Sequence, residues 1–152
     1  MPSARRPLPE LHLAVQYPGG VAGTPTRPQI RRWVRAACNG PAEVTVRFVG
    51  TDESRSLNRD YRRRDYATNV LSFPYDSGAR ISGDLVVCLP VAEREAEAQG
   101  KSLQAHFAHL IVHGMLHLQG YDHETGSDDA ERMEAVEREI LDALGYPDPY
   151  AE

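Results

Sequence analysis

Three histidines, His113, His117 and His123, fall inside the stretch His113-Gly114-Met115-Leu116-His117-Leu118-Gln119-Gly120-Tyr121-Asp122-His123, and their spacing can hold one metal ion. On a helix, His113 and His117 are offset by roughly 40° of rotation and about 6 Å of rise. Both imidazoles can then point at one ion about 2.0–2.1 Å from each nitrogen. His109 would stand about 12 Å along the axis from His117, too far to share a tetrahedral ion easily. Gly120 offers another route. A glycine just past a helix end can take the left-handed conformation and turn the chain back, bringing His123 round to the same ion. Three neutral histidines leave a fourth coordination position open, as catalytic zinc sites do. Zinc is the default ion for such a donor set, although nickel, cobalt and copper bind similar ones.

The pattern His-x-x-x-His-x-x-Gly-x-x-His is also that of the metzincin zinc proteases, which need a glutamate directly after the first histidine as general base. Here that position is Gly114. Glu124 follows the third histidine but does not share the helical face between the ligands. The spacing points to a hydrolase with one metal, and the missing glutamate argues against the protease route.

The whole segment Ala108–His123 resembles the bacterial YbeY family of metal-dependent endoribonucleases, also described as ribosomal RNA maturation factors. Further blocks agree: Leu57-Asn58, Tyr61-Arg62 and Asp65, then Thr68-Asn69-Val70-Leu71-Ser72-Phe73-Pro74; Gly83-Asp84-Leu85-Val86-Val87-Cys88; and Asp128-Asp129-Ala130 through Ile140-Leu141 to Leu144-Gly145-Tyr146. The likeness runs from about Val44 onward, and the first forty residues match weakly. Ala67 stands where family members often have proline. The resemblance implies a zinc-type ion on His113, His117 and His123, with Arg62 beside it as a catalytic residue. It implies single-stranded RNA as substrate, maturation of the 3′ end of small-subunit ribosomal RNA and ribosome quality control as roles, small-subunit components as partners, and a cytoplasmic location. In this reading Arg62 donates to the scissile phosphate and offsets the charge that grows on its oxygens. The general base stays open. Asp122 reads more readily as a turn residue or a histidine partner, and Asp84 as the acceptor for a backbone group at a strand bend. Asn69, Ser72 and Phe73 are candidates for the RNA path, although Phe73 reads more readily as a packing residue of the sheet. Two rival readings remain: a metal-dependent peptidase or amidase, and a non-catalytic ribosome assembly factor with a structural metal.

A chain of 152 residues fits one domain, residues 1–152, with 1–9 expected to be flexible. No apolar run approaches membrane-spanning length, and Arg5 and Arg6 are not followed by the apolar segment of a secretory signal. Cys38 and Cys88 read as reduced core thiols. The net charge of −5 is unusual for an RNA enzyme, but its distribution matters more than its sum. From Glu124 to Asp142 eight acidic residues face two basic ones, and this reads as a solvated helix face. Two stretches are basic: Arg27, Arg31, Arg32 and Arg35, and then Arg55, Arg59, Arg62, Arg63 and Arg64. The second could meet phosphates.

The elements that must position these groups follow from periodicity and punctuation. Glu10–Gln16 alternates as a strand, and Val44, Val46 and Phe48 mark a second. Between them Thr26 caps a helix with the apolar stripe Ile30, Trp33, Val34 and Ala37. Thr51 is expected to cap a helix carrying Leu57, Asn58, Tyr61 and Arg62. Asn69–Tyr75 and Ile81–Leu89 read as a hairpin around Asp76-Ser77-Gly78. Pro90 opens a helix ending at Gly100, Ser102 caps the long helix of His113 and His117, and the last helix runs from about Ser127 to Leu144. The expected fold is α/β (α+β): a small mixed four-stranded sheet packed with about five helices in a single layered domain. On the long helix, His106 and His109 read as cleft-lining or hydrogen-bonded residues rather than ligands. His12 reads as a surface strand residue.

Overall fold

The structure is a computed structural model and describes residues 8–76, 78–122 and 126–151. Its element order is β1 (Leu11–Gln16), α1 (Arg27–Ala36), β2 (Ala42–Val49), α2 (Thr51–Arg62), β3 (Val70–Pro74), β4 (Ile81–Cys88), α3 (Leu89–Gln99), α4 (Leu103–Leu118) and α5 (Ser127–Leu144). The strands form one sheet in the order β1-β2-β4-β3. β1, β2 and β4 run parallel. β3 is the antiparallel edge strand, paired with β4 from Val70↔Val87 to Pro74↔Gly83. This is the mixed four-stranded sheet with five helices that the sequence predicts.

Strand alternation divides the core. Leu85 and Val87 of β4 point into the larger apolar cluster with Trp33, Ile111, Met115, Met133 and Leu141 of α1, α4 and α5. Val86 and Cys88 point the other way, into a smaller cluster with Val49, Leu71 and Val91. Side chains one residue apart on a strand face opposite sides, so β4 needs apolar residues at every position from Leu85 to Cys88. Each such side chain contributes roughly 1.5–3 kcal/mol when fully buried. α4 is anchored at its start by Ser102, whose hydroxyl accepts from the Ala105 N–H at 3.1 Å.

Gly114 explains how closely α4 lies on the sheet. A Cβ there would stand 2.9 Å from Leu85 Cδ2 and 3.3 Å from Ser72 Oγ. The Ser72 hydroxyl donates to the Gly114 carbonyl at 3.3 Å, tying edge strand to helix. Gly114 therefore faces the sheet, and its place could not accommodate the protease glutamate.

Two expectations need correction. Thr51 does not cap α2. It is the first helical residue, and Gly50 occupies the cap with no side-chain hydrogen bond, because β2 runs to Val49 and Gly50 already accepts the first helical bond, from the Ser54 N–H. α5 is not wholly a solvated acidic face either: Glu137 is 0% exposed. It lies one helical turn from both Met133 and Leu141, which are buried in the larger core, so it shares their face.

Candidate metal centre and cleft

α4 carries His106, His109, His113 and His117 at spacings of three and four, and consecutive rings meet edge-on with centroids 6.1, 6.2 and 4.7 Å apart. The last pair is the important one. His113 Nε2 and His117 Nε2 are 3.1 Å apart. Two nitrogens each about 2.0–2.1 Å from a tetrahedral ion stand about 3.3–3.4 Å apart, so this spacing suits a shared ion as well as a ring-to-ring hydrogen bond.

The orientation of His113 comes from α5. The buried Glu137 accepts from His113 Nδ1–H at 2.6 Å, from His109 Nε2–H at 2.9 Å and from the Tyr150 hydroxyl at 2.5 Å. Assigning the ring protons from this network leaves the His113 Nε2 lone pair facing His117. A carboxylate on the far nitrogen of a ligating histidine is the usual way to fix its tautomer and raise its basicity. Burial alone would raise the Glu137 pKa, but hydrogen bonds from His109 and His113, attraction to His113 and the Tyr150 hydroxyl outweigh it and hold the carboxyl at about 2. The same environment, burial first and then the hydrogen bond to Glu137, pushes the Tyr150 hydroxyl far above its ordinary value.

Ligating atoms of His109, His113 and Glu137 lie within 4.8 Å of one another, a group able to hold a metal ion among the described residues. Two of its distances are hydrogen bonds of ordinary length. The donor set and the geometry thus fit a metal at this end of α4, with His113 common to both arrangements. His109 Nδ1 is buried with no partner. His106 is not among the residues that line the cleft of His113 and His117 and pairs with Glu95 at 2.9 Å. Burial lowers its pKa, against the hydrogen bond to Glu95. His106 and His109 are hydrogen-bonded, as expected, but neither is among the cleft residues, and His109 belongs to a group able to hold a metal ion, against the expectation that it is not a ligand. His123 lies outside the described residues. Gly120, on the other hand, has φ +96°, and its N–H bonds back to the His117 carbonyl, so the chain does turn there.

His113 and His117 open on a cleft of about 770 Å³ whose wall includes Arg62, Arg64, Tyr121 and Asp122. Arg62 is in the last turn of α2 and exposed. The loop after it is tied down by two buried side chains of α2. Asn58 Nδ2 donates to the Tyr66 carbonyl at 2.8 Å, and Ser54 Oγ donates to the Thr68 carbonyl at 2.9 Å while accepting from the Thr68 N–H. Arg63 ends α2 with φ +58°, a left-handed conformation costly for a residue with a Cβ. Asn69, Ser72 and Phe73 all line the cleft. Asp84 does not serve a backbone group as expected; it accepts from the Tyr75 hydroxyl. Arg55, Arg32 and Arg35 of the two basic stretches make contacts that hold the fold. Arg55 forks onto Asp65 at 2.8 and 3.0 Å, and Arg32 and Arg35 donate to the Leu144 and Pro9 carbonyls. Sequence reasoning missed Glu137 and Tyr150. The signal for Glu137 was its position on the Met133–Leu141 stripe; Tyr150 had none.

The sequence profile described as Endoribonuclease YbeY matches residues 26–145. The Endoribonuclease YbeY of Aromatoleum aromaticum is 64% identical over 130 residues, 86% of this chain and 84% of that protein. That of Burkholderia lata is 52% identical over 149 residues, 93% of this chain and 87% of that protein. The solution structure of TM1509 from Thermotoga maritima superposes with a TM-score of 0.53 at 23% identity, covering 92% of this chain and 99% of that one, a likeness of fold.

Proposed function

The chain belongs to the YbeY endoribonuclease family, and from that premise we propose that it is a metal-dependent hydrolase that cuts single-stranded RNA, with His113, His117 and His123 holding one divalent ion, zinc by the chemistry of the donors. The observation that carries this reading is the pair of Nε2 atoms 3.1 Å apart, opening on the cleft that Arg62 also lines. The alternative ion position, between His109, His113 and Glu137, uses a carboxylate buried away from solvent and already engaged by three donors. An ion there would not meet a substrate in the cleft.

Bound in the cleft, such an ion supplies Lewis acidity to a phosphoryl oxygen. The chain's own residues do the rest. Glu137 holds the His113 ring with its Nε2 lone pair outward. Arg62 donates to the scissile phosphate and offsets its growing charge, which a guanidinium fork does well. The biological substrate we infer is a small-subunit ribosomal RNA precursor cut near its 3′ end, in ribosome maturation and quality control, with small-subunit components as partners in the cytoplasm. The free thiols of Cys38 and Cys88 agree with a reducing compartment, and no described helix is long and apolar enough to cross a membrane.

The test is cleavage of an RNA carrying the unprocessed small-subunit 3′ end, with wild type and His117→Ala purified in parallel and products mapped to single nucleotides. Cutting by wild type and not by the variant is expected. Equal cutting by both would assign the activity to a contaminant and refute the proposal.

A further inference from the structure

The cleft has a second chemical character besides its cations. Among the described residues, five large hydrophobic side chains are well exposed, and three are tyrosines: Tyr61, Tyr66 and Tyr75. Tyr61 and Tyr66, 68% and 51% exposed, line the same cleft wall as Arg62 and Arg64. Exposure of an aromatic ring to water has a cost that a folded chain ordinarily avoids by burial, so two such rings beside the reacting centre call for an occupant.

Neither ring is loosely placed. Tyr61 meets the ring of Phe73 edge-on, with centroids 5.1 Å apart. The Tyr66 backbone is pinned by Asn58 Nδ2 through its carbonyl at 2.8 Å, and its hydroxyl accepts from Arg64 Nη1 at 3.3 Å. Tyr61 is thus carried by the last turn of α2, and Tyr66 by the loop that the buried Asn58 and Ser54 hold against that helix. The wall reads Tyr61, Arg62, Arg64, Tyr66: flat apolar rings interleaved with guanidinium groups.

We propose that Tyr61 and Tyr66 form a stacking subsite for two unpaired nucleobases flanking the scissile phosphate, with Arg62 and Arg64 meeting the backbone between them. The occupant is single-stranded RNA rather than a peptide because the wall offers both things that a single strand presents, π faces and phosphates, and because it is continuous with the cleft of His113 and His117. Stacking on aromatic side chains tolerates any base, since every base has a π face. It requires bases free of a duplex, so these rings would select strand state and not sequence. The inference rests on the endoribonuclease reading and goes beyond it by naming what distinguishes unpaired from paired RNA.

The experiment is steady-state cleavage of a labelled single-stranded RNA by the metal-loaded wild type and by Tyr61→Leu, Tyr66→Leu, Tyr61→Phe and Tyr66→Phe. The rings are exposed, so the leucine variants should fold normally, which circular dichroism checks. Loss of one stacked base is expected to raise KM roughly 5- to 100-fold with kcat little changed. The phenylalanine variants should keep the wild-type KM. An RNA with an abasic position opposite the missing ring should abolish the penalty of the leucine variant, and a duplex of the same sequence should be insensitive to the substitution. Leucine variants with wild-type KM on an RNA that wild type cuts would overturn the subsite and leave the endoribonuclease reading standing. Failure of metal-loaded wild type to cut any RNA would overturn that reading, and the subsite with it.

Discussion

Replacing Glu137 with glutamine tests the centre at its least exposed member. The carboxylate accepts three hydrogen bonds, from His113, His109 and Tyr150, and is 0% exposed. Glutamine keeps the shape but has one oxygen and one NH2. With the oxygen toward His109 and Tyr150, the NH2 meets His113 Nδ1, which must become an acceptor. The His113 proton then moves to Nε2 and occupies the lone pair that faces His117. With the amide turned the other way, His113 keeps its tautomer, but the NH2 meets two donors. His109 could yield only by moving its proton to Nδ1, a buried atom with no partner.

Neither orientation satisfies the site, and the magnitudes indicate which readout to use. Each charge-assisted bond is worth about 1.5–3 kcal/mol against about 0.5–1.5 for a neutral one, so the substitution forfeits about 3 kcal/mol over three bonds. The depressed pKa of about 2 already includes the desolvation cost of the buried charge, so that cost does not offset the loss. The stability of the apoprotein near neutral pH should therefore fall by about 3 kcal/mol, the size of that pKa depression. Metal affinity reads the orienting role separately. Loss of a carboxylate behind a ligating histidine typically costs 10- to 100-fold, about 1.4–2.7 kcal/mol. Zinc binding measured by competition with a chelator should show that loss, and the cobalt-substituted protein should show an altered visible spectrum. His117→Ala should weaken zinc binding far more than His109→Ala. A glutamine variant with wild-type zinc affinity would refute the orienting role of Glu137. A larger loss in His109→Ala than in His117→Ala would move the ion to the His109, His113 and Glu137 group. The pH dependence has a fixed sign. The Glu137 pKa is depressed from 4.5 to about 2 in the folded chain, so its ionised contribution is fully present above pH 4.5 and is lost as pH falls from there toward 2. Acid unfolding of the metal-free wild type should be steeper over that window than that of Glu137→Gln.

Arg62→Ala should depress RNA cleavage by roughly 100-fold or more, the scale of a lost donor to developing charge, while zinc content stays at the wild-type level; undiminished cleavage would remove Arg62 from the mechanism. Gly114→Ala should lower stability by about 1–3 kcal/mol through overpacking, since its Cβ would lie 2.9 Å from Leu85 Cδ2, and urea denaturation reads this directly. Tyr150→Phe removes one donor to Glu137 and should lower stability by about 1.5–3 kcal/mol, the range for hydrogen bonds to charged groups; an unchanged denaturation midpoint would show that Tyr150 does not support the centre. Burial pushes the Cys38 thiol up to about 11, slightly opposed by Arg35. Only about one thiol in a thousand is then ionised at pH 8, so iodoacetamide should label Cys38 in the folded protein slowly, with a rate rising about tenfold per pH unit up to pH 10.

How much of this was legible in the sequence depends on whether the signal was local. The four strands, the five helices and the pair His113 and His117 were readable because each is written in a short period or a cap, and an i, i+4 pair of ligands needs no tertiary information. Arg62 was readable by resemblance alone, since one arginine of a basic run looks like its neighbours. Its place on the cleft wall comes from the last turn of α2, which Arg63 ends in a left-handed conformation, and no composition rule announces that. Glu137 is the instructive miss. Counting charges over Glu124–Asp142 averages it into a solvated face, whereas its placement midway between Met133 and Leu141 sets it on the buried one. An ionisable residue on the apolar stripe of an otherwise acidic helix must be compensated by something in the core, and the unplaced donors of this chain were the histidines of α4. Treating the two helices as one question, namely which buried acid could answer a row of histidines on α4, would have led from His109 and His113 to Glu137 without a structure. Tyr150 could not have been reached that way, because its contact depends on how the chain folds back after α5, and no spacing rule connects it to His109, forty-one residues before it.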